Sequence, residues 1–318
     1  MKIYNSKFYH GLMFHHFHDL KNYKKTQGSI SKDELYKIIK FVGIKNILTP
    51  IKFIELLNIN KLKKNHLCIT FDDGLRSQYD IALPLLEDLN LKSFYFIHTS
   101  HFDGTPDFLE VFRYFRNFFY DNVDDFYSDF FRESKLNMNK IKTQFKENIK
   151  NNKRHFKFYS LNDVIFRIAR DKILTKKQYE SVMFELFSLK KFNYKLISKK
   201  LFFNKSQIKT LNKLGHEIGL HSSTHPTNIK RMSNKDQKKE YFDNYNNIKK
   251  IINKDIFSMS HPCGRYNKYT LNLLKDLKLK IGFKNNMNNK SRVSSIKMNN
   301  YFEVSRCDNA DILRMINK

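Results

Sequence analysis

Short apolar runs rich in aromatic and β-branched residues alternate along this chain with longer segments of helical period. "GLMFHHF" is followed by "SKDELYKIIKFV", then by "HLCITF", "SQYDIALPLLEDLNL" and "KSFYFIHT". That alternation predicts βα units around a parallel sheet. Ser31 with Glu34 is expected to form a capping box at the start of the first long helix. From about residue 105 to 203 the alternation stops. This stretch is nearly all helix-compatible, rich in Phe, Tyr and Lys, and contains "FLEVFRYFRNFFYDNVDDFYSDFF". It reads either as an inserted helical layer whose aromatics pack on one another and on the strand-bearing core, or as a lid over a substrate. "KSQIKTLNKLGHEIGLHSSTH" then resumes as a helix, a stop at Gly215, a short strand and a loop with two histidines. With no internal repeat and no Pro- or Ser-rich linker, the insertion is assigned to the same single domain, 1–318.

Composition changes this picture little. At 318 residues and 41% hydrophobic content, the chain can bury a sizeable core and fold by itself. A formal charge of +28 resembles a nucleic-acid or membrane-surface signature. The lysines, however, are interleaved with Asn, Ile, Phe and Tyr along the whole length, as codon bias would also produce, so no nucleic-acid partner is expected. Affinity for phosphate-bearing small substrates or anionic surfaces stays open. Cys68, Cys263 and Cys307 show no paired spacing, which argues against a disulfide framework or a cysteine zinc site and fits a reducing compartment. "MKIYNSKFYHGLMFHHFHD" lacks the apolar core of an export signal, and no run of about 18 apolar residues could span a bilayer. A cytoplasmic protein with no transmembrane segment is expected. The oligomeric state is not written in the sequence.

Candidate chemistry begins at "CITFDDGLRSQY", where Asp72 and Asp73 directly follow an apparently buried strand. Burying one ionised carboxylate costs several kcal/mol unless it is compensated, and two adjacent ones cost more. A nearby positive charge is required. "HSSTH" suggests it: His221 and His225, four apart, can direct two imidazoles at one ion, and a carboxylate with two neutral imidazoles makes a facial three-ligand site with positions left for water.

These residues resemble the polysaccharide deacetylases of carbohydrate esterase family 4, the NodB-homology group. The family's T-F-D-D-G motif stands here as Thr70 to Gly74, and its H-[ST]-x-[ST]-H motif as His221 to His225 after "GHEIG". "GLMFHHFHD" is similar to the M-Y-H strand of many members, and "HPCGRYN" looks like a variant of the third motif. The resemblance covers residues 9 to 101 and about 204 to 308. It implies an α/β fold, a distorted (β/α)7 barrel, and a metal-dependent N-deacetylase acting on the acetamido group of an amino sugar. Asp73, His221 and His225 would bind the metal, zinc by default, with nickel, cobalt, manganese or iron as alternatives. Asp72 would be the general base, and a backbone N–H around Cys263 would hold the oxyanion.

The sequence also departs from the family. No Trp is present and no His follows His261, so the family's late L-x-H acid is missing. His15, aligned with the histidine of the M-Y-H strand, is the expected acid, with His16 as second choice and substrate contact. A core role for His15 is the alternative. Position 260 is Ser where many relatives carry an Arg that orients the base, so Arg306 in "YFEVSRCDN" is expected to substitute, the alternative being a rim arginine. His261, His98 and His101 are weighed as substrate contacts against plain loop residues, and His18 as substrate contact against surface. Cys68 is read as a small core hydrophobe, and "KKNH" and "NKDQKKE" as solvated charge runs. With no export signal, a nucleotide- or lipid-linked sugar of surface-glycan biosynthesis is the expected substrate. A catalytically inactive carbohydrate-binding protein on the same fold is the competing reading.

Overall fold

The computed structural model describes residues 10–155, 159–285 and 301–317, so the first nine residues of the N-terminal segment read for an export signal lie outside the described residues. The chain forms two compact units. The first contains residues 29–106 and 200–318 with the N-terminal 25, and the second contains residues 107–199 with the short piece 26–28.

Seven parallel strands build the first unit: β1 (Gly11–Phe14), β2 (Cys68–Phe71), β3 (Phe94–Ile97), β4 (Glu217–Leu220), β5 (Ser258–Ser260), β6 (Ile281–Phe283) and β7 (Arg306–Asp308). Their order is β6-β5-β4-β3-β2-β1-β7. A parallel bridge from Phe283 to Val304 nearly closes the sheet into a barrel, with Val304 N–H donating to the Gly282 carbonyl at 2.9 Å. The strands β1, β2, β3 and β6 are short apolar runs because both faces are covered. One face of the sheet packs under helices through Leu12, Phe14, Ile69, Phe71, Tyr95 and Ile97. The other gathers Cys68, Phe94, Phe96, Ile281, Phe283 and Val304 around Phe53 and Leu57 of the helix Pro50–Asn58, filling the barrel interior.

Register then determines which residues meet at the C-terminal rim of the barrel. Phe14 pairs with Phe71, and Ile97 with Leu220. His15 and Asp72 therefore leave their strands at one level, as do His98 and His221. Strand side chains alternate, so Asp72 continues the inward row of Cys68 and Thr70.

The expected capping box of Ser31 and Glu34 opens the helix Lys32–Val42. The segment "SQYDIALPLLEDLNL" is less regular than its periodicity predicts, with a π-helical turn at Gln78–Ala82 before the α-helix Leu83–Asp88. Arg306 opens the final strand.

The second unit is helical, and its aromatics pack on one another. Phe115 meets Phe187 at 4.7 Å and Phe192 at 5.0 Å between ring centroids, and Phe130 meets Phe166 at 4.9 Å. Buried Asp163 accepts from Tyr127 Oη and Arg167 Nε, each at 2.8 Å, and so ties the helix Val123–Glu133 to its own helix, Leu161–Ile168.

Candidate metal centre

The turn after β2 is built to expose two carboxylates in different directions. Asp72 N–H still donates to the Phe14 carbonyl at 3.1 Å as the last rung beside β1. Asp73 and Gly74 then both take positive φ, 74° and 63°, reversing the chain. Gly74 has little room for a side chain, since a Cβ there would lie 3.0 Å from Ile97 Cγ2. Ser222, His225 and Cys263 also hold positive φ, at 60°, 52° and 50°. Each of the loops after β2, β4 and β5 thus holds non-glycine backbone at positive φ, a conformation that the surrounding fold must impose.

Asp72 is buried and bound by Arg306 in a two-pronged pair, Nη1 to Oδ1 and Nη2 to Oδ2, both at 2.7 Å. Arg306 is itself fully buried and also donates to Thr70 Oγ1 at 3.1 Å and Ser260 Oγ at 2.8 Å. Ser260 Oγ passes its own hydrogen toward Asp72 Oδ2 at 3.2 Å. A small residue at 260 leaves the space that the guanidinium enters from β7. Gly11 serves the same approach: a Cβ there would sit 2.6 Å from Arg306 Cγ. Burial alone would raise the Asp72 carboxyl, but the facing Arg306, with His221 and His15, holds it below the usual carboxylate value. His15 Nε2 stands 3.7 Å from Asp72 Oδ2, its side chain about a quarter exposed. Burial lowers the His15 pKa, only partly offset by Asp73 and Asp72, so the imidazole is neutral near pH 7. Its ring is stacked near that of His16 at 6.2 Å.

Asp73 faces the other way. Its Oδ1 lies 3.2 Å from His221 Nε2 and 3.5 Å from His225 Nε2. Burial opposes its ionisation, yet the neighbouring histidines hold its carboxyl well below the ordinary range. His221 Nδ1 is 2.9 Å from the Ser260 carbonyl, which can only accept, so Nδ1 carries a hydrogen and Nε2 is the ring atom that faces Asp73. One donor atom from each of Asp73, His221 and His225 lies within 4.8 Å of the others. Ligands about 2.0–2.2 Å from a common ion are themselves about 3–3.5 Å apart, so this donor set fits a divalent metal. Wild-type protein stripped by chelation is expected to take up about one divalent ion per chain, and Asp73→Ala or His221→Ala to lose at least tenfold in affinity, read by calorimetric titration.

The loop carrying both histidines is clamped from outside. Glu240 Oε2 accepts the Ser223 and Thr224 N–H groups at 2.9 and 2.8 Å, and Thr224 Oγ1 donates to Oε1 at 2.5 Å. Asn244 Oδ1 accepts the His221 N–H at 3.0 Å, while its Nδ2 donates to the Ile97 carbonyl at 3.0 Å. Glu240 and Asn244, with Gln237, lie on the buried face of the helix Asn234–Ile252 beside Tyr241, Ile248 and Ile251. The reading of "NKDQKKE" as wholly solvated is therefore corrected: Gln237 and Glu240, its fourth and last residues, are buried. A polar stripe at 237, 240 and 244, spaced three and four apart, was the available signal. Gln78 was likewise missed; its Nε2 donates to the His15 and Asp72 carbonyls at 2.9 and 2.6 Å.

The remaining candidates divide by exposure. His98 is fully buried against Phe202, His101 and His225, and His261 is buried with Nε2 2.8 Å from the Phe302 carbonyl. Neither has surface with which to meet a substrate. His101 Nε2 binds the Phe203 carbonyl at 3.0 Å, and His18 Nδ1 meets Ser29 Oγ at 2.9 Å. Cys263 is exposed, and Cys68 is buried with its thiol pushed up by burial.

A family model described as polysaccharide deacetylase matches residues 169–282, a span that holds His221 and His225 but neither Asp72 nor Asp73. A search of curated proteins finds no match. Among solved structures, the chain is similar to a Streptococcus pyogenes deacetylase, PplD, in complex with acetate, at 14% identity and TM-score 0.54, over 96% of each chain. It is similar to a de-N-acetylase from Aggregatibacter actinomycetemcomitans at 12% identity and TM-score 0.52, over 96% of this chain and 98% of that one. The BpsB deacetylase domain from Bordetella bronchiseptica aligns at 12% identity and TM-score 0.50, over 94% of this chain and 95% of that one. At such identities the structural likeness concerns the fold, seven parallel strands in a nearly closed barrel of NodB type. The family model and these folds alike make the chain similar to the polysaccharide deacetylases.

Proposed function

We propose that this protein is a metal-dependent hydrolase that removes an acetyl or similar small acyl group from the nitrogen of an amino sugar during surface-glycan biosynthesis. The observation that carries the reading is the division of labour between adjacent aspartates: Asp72 is held by Arg306, while Asp73 faces His221 and His225. A purely structural pair of carboxylates has no need of two such different settings.

Asp73, His221 and His225 would hold the ion, with zinc the default and nickel, cobalt, manganese or iron chemically acceptable to the same donors. When bound, the ion supplies a Lewis acid that acidifies water and polarises an acyl carbonyl. Asp72 accepts the proton of the attacking water. Arg306 fixes the plane of its carboxylate and keeps it ionised, so the base is ready at neutral pH. His15, neutral at rest and 3.7 Å from Asp72 Oδ2, is placed to receive that proton and deliver it to the leaving amine. The N–H of Cys263, in the turn after β5, is assigned to the oxyanion.

The test is acetate release from nucleotide-linked and lipid-linked N-acetylamino sugars, paired with elemental analysis of metal. Release that requires the ion supports the reading; a metal-loaded protein inert toward both substrate classes removes it. His15→Ala is expected to lower kcat by about 10²- to 10⁴-fold with metal content unchanged. Loss of metal in that variant would place His15 among the ligands instead.

A further inference from the structure

The loop after β1 leaves the barrel at the same rim as Asp72, Asp73 and His221. Its tip is a stiff turn. Asp19 Oδ1 accepts the N–H groups of Lys21, Asn22 and Tyr23 at 2.9, 2.7 and 2.9 Å, and Asp19 N–H donates to the Tyr23 carbonyl at 2.9 Å. Tyr23 is anchored in turn by its hydroxyl on Asp80. Within this turn Leu20 is 105% exposed, the most exposed large hydrophobic side chain among the described residues. Lys21, Lys24 and Lys25 flank it, all exposed. Its three lysines outnumber its one carboxylate, Asp19, so the segment Asp19–Lys25 carries net positive charge.

A single exposed leucine is ordinary. A leucine in a turn braced by four hydrogen bonds, flanked in sequence by three exposed lysines and carried on the loop that leaves the rim is a different object. Lysines alone would suit any polyanion, and a leucine alone would suit another protein. Together they match the boundary of an anionic bilayer, where an apolar side chain enters the acyl region and ammonium groups meet lipid phosphates. No helix among the described residues is long and apolar enough to cross a membrane, so such contact would be peripheral.

We propose that the Asp19–Lys25 tip docks the catalytic rim onto an anionic membrane surface, which makes the sugar substrate lipid-linked rather than nucleotide-linked. The choice of substrate rests on the deacetylase reading; the docking does not.

The experiment is co-sedimentation of the full chain, without substrate, with vesicles of phosphatidylcholine alone or with about 30 mol % phosphatidylglycerol, at low and high salt. The wild type is expected to bind the anionic vesicles and to release as salt rises. Leu20→Ser should weaken binding about tenfold, the order of one lost aliphatic side chain. Lys21→Glu/Lys24→Glu/Lys25→Glu should weaken it about 100-fold or more. Both variants should keep the wild-type melting temperature, since the altered side chains are exposed. Absence of wild-type binding overturns the proposal, as does undiminished binding by the triple variant, which would place the contact elsewhere. Sensitivity to the lysines but not to Leu20 also overturns it, in favour of a soluble polyanion. Because binding is read without turnover, its failure leaves deacetylation standing, and failed deacetylation leaves the vesicle result standing.

Discussion

Asp72→Asn is expected to abolish most turnover, lowering kcat by about 10²- to 10⁴-fold, while the protein still binds one metal per chain. An amide cannot accept the proton of the attacking water, so the loss falls on the chemical step and KM changes little. Metal should be retained because Asp72 is spent on Arg306 and Ser260, whereas the donor set contains Asp73. The variant should also melt somewhat lower, because Arg306 loses its counter-charge in a fully buried position. Turnover must therefore be measured below that transition, alongside metal content. If Asp72→Asn loses metal and keeps turnover once reloaded, the two aspartates have exchanged roles and the mechanism falls.

Arg306→Met should have the largest effect on the fold. Removing one partner of a buried ion pair leaves the other charge uncompensated, at a cost of about 3–5 kcal/mol. For a unit of this size that corresponds to roughly 10 °C or more in Tm. The double variant Asp72→Leu/Arg306→Met should recover much of this, since replacing both partners removes the orphaned charge. A double variant as unstable as Arg306→Met would mean that Arg306 acts through its contacts with Thr70 and Ser260 instead. The pair also fixes an acid sensitivity. With its folded pKa held below the ordinary value, Asp72 contributes stability that is present above the unfolded value of about 3.9 and is lost as pH falls through the folded value. Stability of Arg306→Met should therefore decline less steeply than that of the wild type below about pH 4.

Much of this architecture can be read from local pattern. The strand ends, the first capping box, the two motifs and the need for a substitute cation at Arg306 all follow from short stretches whose chemistry is unusual for their burial. The second layer of support is harder to see. Glu240 and Asn244 lie within a lysine-rich helix, where a buried polar stripe looks like part of a solvated face. Gln78 sits in a π-helical turn that periodicity reads as plain helix. Ser260 illustrates the difficulty best. By itself it reads as a missing arginine; beside Arg306 it is a hydrogen-bonded spacer that makes room for the guanidinium. Each of these roles depends on a partner far away in the chain, which no window of sequence contains.

That distance bears on how the barrel forms during synthesis. Asp72 and Arg306 are 234 residues apart, and β7, the last strand, pairs with β1, the first. Every other strand has been synthesised before the guanidinium is made. Until it arrives, drawing Asp72 inward from water is unfavourable, so β2 gains little by settling early. The inner carboxylate thus disfavours early closure of the sheet around it, and its buried ion pair can form only once β7 is in place beside β1.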